Sequence, residues 1–370
     1  MTDPRFGTFF LPGPTEVRPE ILRAMTRPTI SHRGKEFETM FATIQAGLGE
    51  IFLTTRPVYV MPASGTGAME AAVRNVARGR ILSLVNGGFS ERFADIANSC
   101  GHAVTRLTVE PGESFDLMAV EDALRGGNYA AVTMAHNETS TGVVSDVRSV
   151  AQLARAHGAL SLIDSVSGMG GAELCTDAWG VDFVLSASQK ALALPAGLAF
   201  MVASPEYVAR AAKAENHGRY FDVAEFEKFS GKHQTPTTPA LCLLYALDAQ
   251  LRNIALEGIE RRWGRHNAMR RATEEWAKAA GTKLGIDLKI LAREGIRSPT
   301  VTAFVLPERV DSRLLVDAVE KRGFVIGGGQ PPVAQTTIRI GHMGDHTPDG
   351  LAACLNAVEA ALEDAMRFIR

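Results

Sequence analysis

No apolar run in this chain of 370 residues reaches the roughly 18 residues that a membrane-spanning helix needs. The start, Met1-Thr2-Asp3-Pro4-Arg5, lacks the charged-then-apolar layout of a signal peptide, so the cytoplasm is the expected compartment. Cysteine is scarce and scattered. Cys100, Cys175, Cys242 and Cys354 include no pair with C-x-x-C spacing, which argues against a zinc site or a redox pair. Reduced, mostly buried thiols are expected instead. An excess of one charge is missing too. The 39 Lys+Arg and 41 Asp+Glu leave a formal net charge of −2, which argues against nucleic-acid binding through a basic surface. The chain also lacks a Walker loop and a G-x-G-x-x-G fingerprint, so a nucleotide-binding dehydrogenase is disfavoured.

What is present is ordinary globular composition, 46% hydrophobic and 22% charged, enough for a sizeable core. At roughly 150 residues per domain the length predicts two domains, or one large and one small. From about residue 57 to 210, short apolar runs alternate with amphipathic stretches. The runs are 57–61, 81–85, 103–109, 129–135, 160–163, 181–185 and 198–202, and helix-like segments such as 68–78, 91–99, 147–157 and 205–214 separate them. That alternation predicts a largely parallel sheet covered on both faces, with ligands at the carboxyl ends of its strands. From about residue 240 the pattern changes to long helices, 241–256 and 257–280. Strands at 301–306, 324–326 and 336–340 follow, with helices at 312–322 and 348–369, which together predict a small α+β domain. The first 30 residues hold five prolines and read as an irregular arm. The expected division is an arm at 1–14 crossing the cleft, a large domain at 15–255 and a small domain at 256–370.

Five segments carry candidate chemistry. Ser64-Gly65-Thr66-Gly67 follows a strand and opens a helix. It is either a plain turn or an anion cradle, because small residues let backbone N–H groups approach an anion at the positive helix end. Asp164 closes the strand Leu162-Ile163-Asp164, either as a helix cap or as the partner of a buried cation. Lys190 is the one charge between Phe183 and Phe200. A lysine desolvated at a strand end has a lowered pKa and attacks aldehydes; one that merely caps the strand does not. His136-Asn137-Glu138-Thr139-Ser140-Thr141-Gly142 is a polar loop past another strand, and Phe89 follows a fourth strand and two glycines. Phe89 either joins the core or stacks on a planar ligand. A ligand with a phosphate, a ring nitrogen and an aldehyde satisfies the cradle, the acid and the lysine together. Pyridoxal 5′-phosphate is such a ligand.

With Ser-Gly-x-Gly-x-x-Met-Glu, Glu-Thr-Ser-Thr-Gly-Val, Asp-Ser-Val-Ser and Ser-x-Ser-Gln-Lys in this order, the chain resembles the class V aminotransferases. These are pyridoxal-phosphate enzymes of the aspartate aminotransferase superfamily. The likeness runs from Leu11-Pro12-Gly13-Pro14-Thr15 to Arg339-Ile340-Gly341 and leans toward the alanine–glyoxylate and serine–pyruvate enzymes. It implies an α/β fold with a mainly parallel seven-stranded sheet in the large domain. It makes Lys190 the Schiff-base lysine and Asp164 the partner of the pyridinium nitrogen. Ser64, Gly65 and Thr66 then hold the phosphate, Gln189 sits beside the lysine, Phe89 stacks on the ring, Thr139 bonds the ring hydroxyl and Val166 packs on the ring face. Arg339 clamps the substrate carboxylate, a bidentate task that suits guanidinium.

The same resemblance implies a homodimer with shared active sites. Thr237, in His233-Gln234-Thr235-Pro236-Thr237, and the run Ser31-His32-Arg33-Gly34-Lys35-Glu36-Phe37 would reach the neighbour. Gln234 stands where the family frequently has tyrosine. The run with Arg33 resembles phosphoserine aminotransferases, where such residues receive a second anion, whereas Arg339-Ile340-Gly341-His342-Met343-Gly344 follows the alanine–glyoxylate pattern. The expected reaction moves an amino group from alanine or serine to glyoxylate or pyruvate. The alternatives are phosphoserine with 2-oxoglutarate, or a non-transaminating enzyme of the same fold. A desulfurase is discounted, because the one late cysteine, Cys354, falls in an amphipathic helix pattern.

Overall fold

The computed structural model describes residues 6–215 and 217–367. The first five residues of the expected arm and positions 368–369 of the expected last helix lie outside them. The predicted alternation closes into one seven-stranded sheet. Its order is Val58–Pro62, Leu198–Ala203, Phe183–Ala187, Leu160–Asp164, Tyr129–Ala135, Arg80–Val85, Ala103–Thr108. All pairs are parallel except the two made by Leu198–Ala203.

Successive strand side chains point to opposite faces, so each strand feeds two cores. Leu82, Leu84 and Ile163 join Phe37, Phe41, Leu48 and Val150 on one face. Ile81, Leu160 and Leu162 join Met69, Phe93, Ala97 and Tyr207 on the other. Each large apolar side chain fully buried there contributes about 1.5–3 kcal/mol. A five-stranded sheet, Phe9–Phe10, Val325–Gly328, Thr337–Gly341, Val301–Val305 and Lys289–Ile290, has its own core around Phe10, Met269, Phe304, Ile338 and Val358.

Three expectations need correction. The sixth apolar run forms its strand at Phe183–Ala187, two residues later than 181–185, because Asp182 instead accepts from the Ser161 amide and hydroxyl and the Ser204 hydroxyl. The proline-rich start is not wholly irregular. Phe9–Phe10 pairs with Val325–Ile326, and Pro19 opens a helix to Ala24, where a fixed φ is no obstacle. An 18-residue helix, Lys35–Phe52, follows it; Phe37, Phe41, Ile44, Leu48 and Ile51 form its buried stripe. Of the thiols only Cys354 is buried; Cys100 and Cys175 are half-buried and Cys242 is exposed on the first turn of a helix whose buried stripe starts at Leu244. No helix among the described residues is long and apolar enough to cross a membrane.

Candidate active site

The carboxyl end of the sheet gathers charge that an apolar strand would not otherwise keep. Asp164 ends its strand 5% exposed, and its Oδ1 accepts from the Val166 amide at 2.8 Å. Lys190 lies just past the strand Phe183–Ala187, 7% exposed, with Nζ donating to the Pro12 carbonyl. The arm therefore passes directly over the lysine. A Cβ at Gly13, where φ is +108°, would collide with the Lys190 side chain, so glycine is required there. The Phe89 ring centroid lies 5.7 Å from Nζ.

Arg339, in the strand Thr337–Gly341, is 7% exposed. It donates Nε to the Gly328 carbonyl at 2.9 Å and Nη1 to the Thr139 carbonyl at 3.2 Å. Among the described residues it has only these backbone acceptors and no ion pair. Thr139 in turn bonds Ser167 through its hydroxyl.

Glu138 is the residue that reading 136–142 as a merely polar loop overlooks. It is fully buried and accepts from the amides of Phe89, Ser90 and Ser140 and from both serine hydroxyls, at 2.6–3.3 Å. It thus fixes the N-terminus of the helix Gly88–Ser99 and the Phe89 backbone. The signal was the one that flags Asp164: a lone acid past the end of an apolar strand. His136 beside it bonds Ser165 at 3.0 Å; burial lowers its imidazole to about 4, so it is neutral.

Burial sets the electrostatics. It is the main cause lowering the Lys190 ammonium to about 8, helped by Arg339. It lifts the Asp164 carboxyl to about 7 against the Val166 amide, and Glu138 adds to the rise. It lowers the Arg339 guanidinium to about 10, opposed by Glu138. The site therefore holds an amine that gives up its proton more readily than a solvated lysine, a carboxyl that ionises fully once a cation faces it, and an arginine with no ion pair among the described residues.

The cradle segment behaves as the small residues predict. Ser64 is the exposed cap of the helix Gly65–Arg74; its Oγ accepts from Gly67 at 3.4 Å. Thr66 is exposed, and a Cβ on buried Gly65 would come within 2.7 Å of Val166 Cγ2, so the helix start, Val166 and Asp164 form one wall. Gln189 is half-buried next to the lysine.

Arg33 and Thr237 are placed differently. Both are exposed. Arg33 donates to Gln234 Oε1 at 3.2 Å and to the carbonyls of Thr235 and Pro236 at 2.7 and 3.4 Å. The Thr237 carbonyl accepts from the Thr235 hydroxyl. These segments join each other; no hydrogen bond among the described residues ties them to Lys190, Asp164 or Arg339.

A sequence model of the family described as Aminotransferase class-V matches residues 20–344. The chain is 34% identical to a serine–glyoxylate aminotransferase of Methylorubrum extorquens, covering 96% of this chain and 90% of that one. It is 32% identical to an L-aspartate–glyoxylate aminotransferase of Paracoccus denitrificans, covering 96% and 91%. The crystal structure of an alanine–glyoxylate aminotransferase from Nostoc sp. superposes with a TM-score of 0.90 at 29% identity, covering 96% and 95%.

Proposed function

This chain belongs to the class V aminotransferases, and we propose that within them it moves the amino group of alanine or serine to glyoxylate or pyruvate. It is an enzyme of the pyridoxal-phosphate class. When bound, pyridoxal 5′-phosphate supplies an aldehyde and an electron-withdrawing ring that carry the amino group between substrates. The residues present fit it. The observation that carries the reading is the buried set Lys190, Asp164 and Arg339: an amine lowered to about 8 beside an acid and an arginine, none of them in an ion pair among the described residues.

In this reading Lys190 Nζ would anchor the cofactor at its aldehyde carbon and, once freed by the substrate amine, would take the proton from the substrate Cα and deliver it to the cofactor C4′. Asp164 holds a proton on the ring nitrogen. The first-turn amides of Gly65 and Thr66, with the Ser64 hydroxyl, bind the phosphate. Phe89 and Val166 bracket the ring, Thr139 bonds its hydroxyl, and Gln189 steadies the lysine. Arg339 binds the α-carboxylate, and its two backbone acceptors keep its fork aimed. The reading extends to a cytoplasmic homodimer whose subunit is divided at 14/15 and 255/256, with Thr237 and the 31–37 run lying toward the neighbouring site. Small donors are favoured because the donors of Arg33 are already taken up by Gln234, Thr235 and Pro236, and because two of the relatives named above carry serine or alanine in their names.

The test is a half-reaction screen. The yellow enzyme is mixed with alanine, serine, aspartate, glutamate or phosphoserine singly, and loss of the cofactor band is timed. Alanine or serine should react fastest. Phosphoserine or glutamate reacting far faster than both overturns the donor assignment.

A further inference from the structure

Four consecutive carbonyls around Lys190 each accept a hydrogen bond from another part of the chain. Gln189 O accepts from the Thr15 amide at 2.9 Å, and Lys190 O from the Thr15 hydroxyl at 3.0 Å. Ala191 O accepts from Arg262 Nη2 at 2.7 Å, and Leu192 O from Gln250 Nε2 at 3.0 Å. The next residue, Ala193, has φ +53°, a left-handed conformation that an alanine keeps only when its surroundings impose it.

Arg262 and Gln250 share one pattern. Each nitrogen that donates to the loop also faces one oxygen of Asp345: Arg262 Nη2 lies 2.9 Å from Oδ1, and Gln250 Nε2 lies 3.0 Å from Oδ2. Gln250 is fully buried and Arg262 is 1% exposed. Arg18, from the arm side, closes on Asp345 at 2.8 Å, and Glu257 takes Arg262 Nη1 at 2.8 Å. One carboxylate therefore aims two donors at the two carbonyls that follow Lys190. Asp345 also lies shortly after the strand that carries Arg339, so the same network ties the lysine turn to the other half of the site.

We propose that Arg262 and Gln250, oriented by Asp345, are positioning residues for Lys190, acting through the Ala191 and Leu192 carbonyls. None of them touches a reacting atom. Their work is to hold Nζ at one place while it moves a proton, a task in which a misplacement of about 1 Å lowers a rate by up to about a hundredfold. The role rests on the assignment of Lys190 above.

The experiment compares full-length wild type, Arg262→Lys and Gln250→Met as holoenzymes. Arg262→Lys keeps a cation for Asp345 but not the two-pronged reach. Gln250→Met keeps bulk and removes one donor. Hydrogen exchange of the 188–194 backbone should quicken in both variants, while that of 160–164 stays as in wild type. The half-reaction at saturating alanine or serine, per borohydride-fixed site, should fall by roughly 10–100-fold, with half-saturation within about threefold. The Cα-deuterium isotope effect should rise, since proton transfer becomes the slower step. Unchanged exchange at 188–194, or a per-site rate within about twofold of wild type whatever the melting temperature does, overturns the proposal. If Arg262→Lys does not fold, Gln250→Met decides. Wild type that fixes no cofactor on Lys190 defeats the earlier assignment instead, and the exchange comparison still reads the clamp.

Discussion

Two regions carry the residues that sequence reading selects for the site, and they differ in what charge means there. At the sheet end, Lys190, Asp164 and Arg339 are all less than a tenth exposed. Burying such groups is costly unless something compensates, so their survival in an apolar setting reports a task. In the pair formed by 31–37 and 233–237, Arg33 and Thr237 are exposed, where charge costs little and an ion or a hydrogen bond contributes little. The first region is assembled within one subunit. The second has its partners in each other and acquires a catalytic meaning only if a neighbour is laid against it.

The sharpest way to break this contrast is Lys190→Ala. In the role proposed for Lys190 it removes both the covalent anchor and the proton carrier, so turnover should fall by on the order of 10⁴-fold or more. Borohydride should then fix no cofactor. Turnover near wild type without added amine would move the chemistry elsewhere. Asp164→Asn comes next. A neutral amide cannot keep a facing nitrogen protonated, so bound cofactor should persist while kcat drops by two or more decades, about 3 kcal/mol or more of transition-state stabilisation. Loss of cofactor with unchanged kcat per occupied site would contradict it. Arg339→Lys keeps the charge and loses the fork. It should lower kcat/KM for amino acids by roughly 10–100-fold, mainly through KM.

The pH profile sharpens the contrast without a mutation. In the proposed role Lys190 reacts as the neutral amine, and burial lowers its ammonium to about 8. Uptake of added pyridoxal phosphate by the apoprotein should therefore quicken as pH rises toward 8 and level off above it, with about a tenfold gain between pH 7 and 9. A rate still climbing beyond pH 10 would mean that the amine behaves as a solvated one.

The alternation of strands and helices was legible because a parallel sheet needs apolar runs of that length. Lys190 and Asp164 were legible because each is a lone charge at the end of such a run. Glu138 carries the same mark, hidden by the polar neighbours that now bond it. The helix Lys35–Phe52 shows a regular 4-3-4-3 stripe of buried residues; reading 31–37 as a motif obscures that period. The meeting of Gln250, Arg262 and Asp345 was not legible at all. Three segments distant in sequence converge there, and no local pattern encodes such a contact.

The smallest effect belongs to Arg33. Its guanidinium lies over Phe229 at 5.1 Å and donates to Gln234, Thr235 and Pro236, an exposed arrangement that holds two surface segments together. Arg33→Ala should change stability by less than about 1 kcal/mol. Half-reactions with alanine and serine should stay within roughly threefold of wild type, because these donors carry no second anion for Arg33 to receive. Glutamate and phosphoserine do carry one. If wild type reacts with either far faster than with alanine, and Arg33→Ala removes that advantage while alanine is untouched, Arg33 completes a site as an anion receptor. The exposed pair would then be a working part of the pocket, and the phosphoserine reading would replace the small-donor one.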